Sequence, residues 1–514
     1  MAVSDGPEAE VAWLGADDVG RRQFPDADVV DLEGAFVAPA FVDAHVHLTS
    51  TGLAATGLDL RAATSREHLL TLLADHAREH PDGPIWGHGW DDSTWSAPPT
   101  TADLDEVLGA RPAYLARVDV HSAVVTTALR TMTEGLSSAE GFAERGPLTA
   151  DAHHRVRAIA RGLLTGRQRD AARHAALDLA ARSGIVAVHE CAGPDIGGLD
   201  DWQAVRALRH GVEVVGYWGE AVDSARAAED LVAWTGARGL AGDLFVDGAL
   251  GSRTAWLHEP YADDDGCGNA YLTADDIEAH LAACTEAGVT AGFHVIGDAA
   301  TAAVVTAIDR VVTRFGAPAV ARCGHRLEHL EMVTPDEAGR LAAAGVIASV
   351  QPHFDELWGG EDGMYATRLG GDRARGLNRF ALLASQGVPL ALGSDTPVTS
   401  MNPWGSVRAA IRHRTPGSAL STRAAFSAAT RGAWRAGGVR DGVTGTLVPG
   451  APASYAVWDV PGGADGLEIA APADGVQRWS TESGSRVPAL PRLHPDDPLP
   501  TCRRTVHRGV VLHG

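Results

Sequence analysis

The sequence predicts an α/β protein: a TIM-type (β/α)8 barrel with a small β-rich unit built from the two chain ends. Three observations predict it. Between about residues 41 and 440, short apolar runs alternate with Ala/Arg/Asp-rich helical segments, the pattern of repeated βα units. Five of those runs end in a metal-capable residue, His47, His189, His294, His329 or Asp395, and barrel active sites lie at the C-terminal ends of the strands. Both chain ends, by contrast, read as short strands punctuated by Gly and Pro.

Taken in order, residues 1–40 carry strand-like runs at 11–15, 28–32 and 34–37. The stretch PAFVDAHVHL (39–48) is the first barrel strand, and His45 and His47 in it are spaced i, i+2. On a strand that spacing puts two imidazoles on one face. Two converging neutral imidazoles are half of a site for Zn²⁺ or a similar divalent ion. There are more strand candidates than a barrel needs, so an insertion is expected at about 85–170. Its segment 86–95 carries Trp86, Trp90 and Trp95, as a pocket wall or as a packed loop. Helix then alternates with strand: 171–182 and 184–189, 275–287 and 289–294, 299–315 and 326–329, 334–344 and 346–351, 377–386 and 388–395. The runs at 445–450, 453–459 and 505–512 close the chain. Each end alone has too few strands to bury a face, so residues 1–40 and 441–514 are expected to pack as one domain beside a barrel over 41–440.

Composition narrows the function. A formal charge of −23 opposes binding to nucleic acid or to an anionic membrane, both of which need basic surface. All 43 residues of the Lys+Arg total are Arg, so no Schiff-base or carboxylated lysine can form. Cys191, Cys267, Cys284, Cys323 and Cys502 are odd in number, scattered and without a C-x-x-C pair, as in a reducing cytoplasm. The N-terminus is polar and acidic, and no run of 18 apolar residues occurs. A cytoplasmic protein acting on a small molecule is expected, with no nucleic-acid or membrane partner; a homodimer is compatible with this.

The motifs PAFVDAHVHL, DGALGSRTAWLHEPY (247–261), HVIGDAA (294–300), RLEHLE (326–331), SVQPHF (349–354) and GSDTPV (393–398) occur in that order. The series resembles the amidohydrolase superfamily of metal-dependent hydrolases, and within it the family 3 branch that contains N-substituted formamide deformylases. The resemblance implies a distorted TIM barrel with a small β-sandwich from both chain ends. It implies that His45 and His47 bind a buried metal completed by Asp395. His294 and His329 would hold a second ion in two-metal relatives. In one-metal relatives His294 joins the single ion and His329 acts in catalysis. Many relatives place a carboxylated, metal-bridging lysine where this chain has Asp243. Asp243, or Glu190 beside His189, would have to replace it. The shorter side chain favours one Zn²⁺-like ion over two.

The implied chemistry is metal-assisted hydrolysis of a C–N bond. Asp395 would be the general acid/base, and His329 the oxyanion partner. An N-substituted formamide or other N-acyl amine is the expected substrate. A heterocycle deaminase and a non-catalytic metal-binding barrel are the alternatives. Of the remaining candidates, His325 reads as core or support for the site, and His189 as core or site. Asp298 reads as a cap for the helix at 299. Gly248, Gly251, Ser252 and Arg253 read as substrate-binding or turn residues, and His153, His154 and His174 as surface on polar helices.

Overall fold

The computed structural model describes residues 1–6, 8–469 and 489–514. Its centre is the predicted barrel: β1 (Phe41–Val46), β2 (Ile185–Ala192), β3 (Glu213–Trp218), β4 (Gly239–Leu240), β5 (Thr290–Val295), β6 (Arg326–His329), β7 (Ile347–Val350) and β8 (Leu390–Leu392). The strands pair in chain order and all pairs are parallel. Strands of a parallel sheet covered on both faces are apolar throughout rather than alternating, and β1, β2 and β5 are buried along their whole length. The seam between β8 and β1 closes just beyond the strand ends. Asp395 N–H donates to the His45 carbonyl at 2.8 Å, and His47 N–H to the Thr396 carbonyl at 3.0 Å. Ser394 N–H donates to the Asp43 carboxylate at 2.8 Å.

The surrounding helices start and stop where the chain says they should. Thr273 with Asp276, and Thr334 with Glu337, form reciprocal capping boxes at the starts of Ala274–Ala287 and Pro335–Ala344. Each of these helices ends in a left-handed glycine, Gly288 and Gly345, a conformation that costs a residue without Cβ little. Helix Asp298–Phe315 lays Val304, Val305, Ile308 and Val311 against the barrel, at helical spacing.

Two barrel strands were not anticipated, β3 and the two-residue β4. The insertion also begins earlier than expected. A separate five-stranded sheet runs through Leu58–Asp59, Ile85–Trp90, Ala113–Arg117, Ser122–Val125 and Leu148–Thr149, followed by helix Ala150–Gly162. Trp86 and Trp90 are packed into this sheet, and Trp90 Nε1–H donates to the Leu115 carbonyl at 2.9 Å. They do not wall the cleft. His153 is buried rather than on the surface, 2.8 Å from the Tyr114 hydroxyl.

The chain ends meet as expected. Strands Val510–His513, Thr501–His507, Tyr455–Asp459 and Phe36–Pro39 form a four-stranded antiparallel sheet in that order. Val11 in the ribbon Ala2–Val3/Val11–Trp13 exchanges backbone hydrogen bonds with residues 450 and 451. Residues 470–488, which the sequence assigns to this unit, lie outside the described residues. Trp458 fastens the sheet to the barrel. Its ring meets Phe41 at 5.8 Å and Trp404 at 5.7 Å, both edge-on, and Phe426 completes the cluster. Buried aromatic rings cover roughly 150–250 Å² each and favour edge-to-face contacts. Among the described residues no helix is long and apolar enough to cross a membrane.

Candidate metal centre

The C-terminal ends of β1, β4, β6 and β8 bring five of the predicted residues to one point. Asp243 Oδ2 lies 3.0 Å from His47 Nε2 and 3.5 Å from His45 Nε2. Asp395 Oδ1 lies 3.3 Å from His47 Nε2 and 3.4 Å from His45 Nε2. Asp243 Oδ1 faces His329 Nε2 at 3.7 Å. Ligand atoms about 2.1 Å from a tetrahedral ion lie about 3.4 Å apart, so these spacings fit a cation at their centre. Among the described residues the buried His45 Nε2 and Asp243 Oδ1 have no hydrogen-bond partner, and buried polar groups without partners call for an explanation. Two triplets, His45/His47/Asp243 and His45/His329/Asp395, each bring ligand atoms within 4.8 Å of one another. The residues therefore fit a divalent ion. Without one, protons take its place: burial opposes charge on His47, yet Asp243 and Asp395 raise its pKa to about 9.

Support behind these groups fixes their orientation. His45 Nδ1–H donates to Glu328 Oε2 at 2.9 Å, which leaves Nε2 for the centre. Glu328 in turn is gripped by Arg326 through Nε at 2.5 Å and Nη2 at 2.9 Å. Burial alone would raise the Glu328 carboxyl, but the guanidinium outweighs it and holds the pKa at about 2. Arg326 also donates to the Ala44 carbonyl and lies 4.4 Å over the Tyr217 ring. His329 Nδ1 is 2.8 Å from Gln351 Oε1, so its Nε2 points at Asp243. His329 and Asp395 sit at φ +69° and +54°. That left-handed conformation costs non-glycine residues about 1–3 kcal/mol and clusters at functional sites.

His294 on β5 is buried with its ring 4.4 Å from His329, but it belongs to neither triplet. Asp247 does not bond it; the separation is 3.6 Å. Instead Asp247 accepts N–H groups from Ile296, Gly297 and Trp256 and ties down the turn after β5.

Other sequence candidates fall elsewhere. Glu190 accepts the Leu48 N–H at 2.7 Å, at the start of helix Leu48–Thr56, and lies outside both triplets. His189 is a core residue, its Nδ1 3.1 Å from Arg326 Nη1. His325 bonds Thr285 and the Ala291 N–H, away from the centre. Asp298 is not the cap. Gly297 holds that position, while Asp298 Oδ1 accepts from His258 and Ala299 N–H. Gly248 and Ser252 serve the 247–254 turn, and Arg253 pairs with Asp263. Gly251 does line the cleft, where a Cβ would come 2.9 Å from Asp119 Oδ2. His174 is exposed, as expected.

The cleft has two lobes that meet at His294, His329 and Asp395. One carries Phe354, Trp358 and Met364. The other carries His154 and Arg157 from the insertion, and His121 lines both. His154 thus faces the cleft rather than open solvent. Sequence reasoning missed Glu328, Gln351 and Arg157. The only available signal for the first two was their place inside RLEHLE and SVQPHF.

A model of the amidohydrolase family matches residues 28–513. The protein YtcJ of Bacillus subtilis (strain 168) is 28% identical over 421 residues, 75% of each chain. An N-substituted formamide deformylase of Arthrobacter pascens is 30% identical over 129 residues, 24% of this chain and 22% of that protein. Among solved structures, an uncharacterized metal-dependent hydrolase from Pyrococcus furiosus is 27% identical with a TM-score of 0.67, covering 88% of this chain and 94% of that one.

Proposed function

The chain belongs to the amidohydrolase family, and from that premise we propose that it hydrolyses the C–N bond of an amide, an N-substituted formamide or other N-acyl amine. The observation that carries this reading is the convergence of His45 Nε2, His47 Nε2, Asp243 and Asp395 within 3.0–3.5 Å at the barrel mouth. The local likeness to a formamide deformylase supports the choice of bond. His45, His47, Asp243 and Asp395 would hold one Zn²⁺-like ion, with His294 and His329 beside it. The steric ground for expecting a single ion is removed, because Asp243 reaches both His47 and His329. The ground that remains is His294, which belongs to neither triplet.

A divalent ion in this position supplies Lewis acidity and lowers the pKa of its water from about 15.7 to about 7. Asp395 takes a proton from the attacking water as its oxygen bonds the carbonyl carbon. Asp395 then gives that proton to the nitrogen as the C–N bond breaks, so acid and amine leave in equal amounts. His329 would offer an Nε2–H to the developing oxyanion, and Gln351 Oε1, 2.8 Å from Nδ1, keeps the ring aimed.

The test is purified, metal-analysed protein against formamides, N-acyl amines and aminated heterocycles, with formate, acid, amine and ammonia measured. Equimolar acid and amine, lost in Asp395→Asn, is the expected result. Ammonia from a heterocycle with no amide cleavage would replace the proposal with a deaminase.

A further inference from the structure

We infer that Arg157, with His154 beside it, binds a carboxylate on the substrate, which makes an anionic amide with an apolar group the preferred substrate. The inference rests on the amide-hydrolase reading above. Arg157 and His154 are three residues apart on helix Ala150–Gly162, a spacing that stacks them on one face. Both line the lobe that also contains His47, Asp243 and Asp395.

Arg157 is 6% exposed and pairs with no carboxylate among the described residues. Its one hydrogen bond among them runs from Nη2 to the Asp195 carbonyl at 2.6 Å. A guanidinium has five donors, and a buried charge is costly unless paired. Among the described residues the His154 ring makes no hydrogen bond, and it packs against the rings of His153 and Phe245. The acids of this lobe are already engaged. Asp119 accepts from Arg117 and from the His121 N–H, while Asp243 and Asp395 face the imidazoles. Arg161, one turn further along the helix, donates to Ser50 and to the Ile196 carbonyl, while its buried Nε has no partner among the described residues. Burial and the neighbouring Arg161 push the Arg157 pKa down to about 10 against the pull of Asp195 and Asp243, so it remains charged at neutral pH without a carboxylate paired to it among the described residues. A planar carboxylate matches the guanidinium fork. Across the reacting centre, Phe354, Trp358 and Met364 offer an apolar lobe for the other end of the substrate.

The test needs a probe that does not depend on turnover. Binding of 3-phenylpropionate and 3-phenylpropionamide to the metal-loaded protein is measured by calorimetry, beside kinetics on N-formylphenylalanine and its amide. The acid is expected to bind about 10–100-fold tighter than the amide, the range for a charge-assisted pair. Arg157→Met should bring that ratio to about one, and Arg157→Lys should keep part of it. Arg157 also braces the Asp195 carbonyl, so His154→Glu serves as a second variant: it sets a like charge in the same corner and should abolish the acid preference. Equal binding of acid and amide to the wild type would overturn the inference. So would an acid preference that survives both Arg157→Met and His154→Glu, since the carboxylate then sits elsewhere. If no amide is hydrolysed but acid binding depends on Arg157, the hydrolase reading fails and the carboxylate site alone stands. Turnover without acid preference gives the reverse.

Discussion

Glu328→Gln is the sharpest perturbation of the support behind the metal centre. The side chain keeps its shape, but the carboxylate charge between Arg326 and His45 is gone. Two effects should appear together. First, Arg326 is left buried without its anion, and breaking a buried pair costs about 3–5 kcal/mol. The pKa gives a similar figure: a fall from the carboxyl's usual 4.5 to about 2 corresponds to roughly 3 kcal/mol, to order of magnitude. Because the folded value is depressed, that contribution is fully present above pH 4.5 and is lost as pH falls towards 2. The wild type should therefore lose stability steeply across that window, and the variant should lose less. Second, Gln has one acceptor oxygen where Glu328 has two, so His45 Nδ1–H must compete with Arg326 for it or face the amide NH2, and such outer contacts are worth about 10–100-fold in metal affinity. The assays are denaturant unfolding of the metal-free protein at pH 7 and in steps from 5 to 3, and chelator competition for metal affinity. A variant with unchanged metal affinity and the same acid limb would refute the argument that Glu328 orients His45.

Asp395→Asn should retain the fold and lower kcat by about 10²–10⁴-fold, the usual contribution of general acid/base catalysis; full activity would remove Asp395 from that role. Metal analysis of protein purified without added metal should give closer to one ion per chain than two. Asp243→Ala should fall well below one, and two tightly held ions in the wild type would overturn the one-metal reading. Trp458→Ala should cost about 3–5 kcal/mol, as large-to-small changes among buried aromatics do, without changing the metal content of the folded protein. Unaltered unfolding in denaturant would show that the small sheet is not fastened to the barrel through this ring.

The barrel was legible where an apolar run was buried from end to end; β3, as long as β1 but with its first three residues partly exposed, was not anticipated. β1, β2 and β5 are runs of six to eight buried residues, and His45 and His47 stood out because period two puts them together. β4 has two residues, too few to carry a period, so the loop that places Asp243 could be found only through a neighbouring motif. Glu328 sat in plain view next to His329, but adjacency along a strand says nothing about which distant imidazole a side chain meets. His154 and Arg157 failed for a different reason. A helix face turned to a wet cleft has the same polar pattern as one turned to bulk solvent, so the helix Ala150–Gly162 read as surface.

The seam between the first and last barrel strands has a consequence for how the molecule comes into being. It is sewn by Asp395, His47 and the Asp43–Ser394 contact, which joins residues 351 apart in the chain. Bringing such distant segments together costs on the order of 5 kcal/mol of chain entropy, and little at this seam can repay it until the last strand arrives. A nascent chain that has not yet produced Asp395 has an open barrel and an incomplete ion cradle at once. Completion of the fold and birth of the site are one event. An ion gripped from both sides of the seam would act as a rivet, and the amide protons of His47 and Asp395 would exchange more slowly when it is in place.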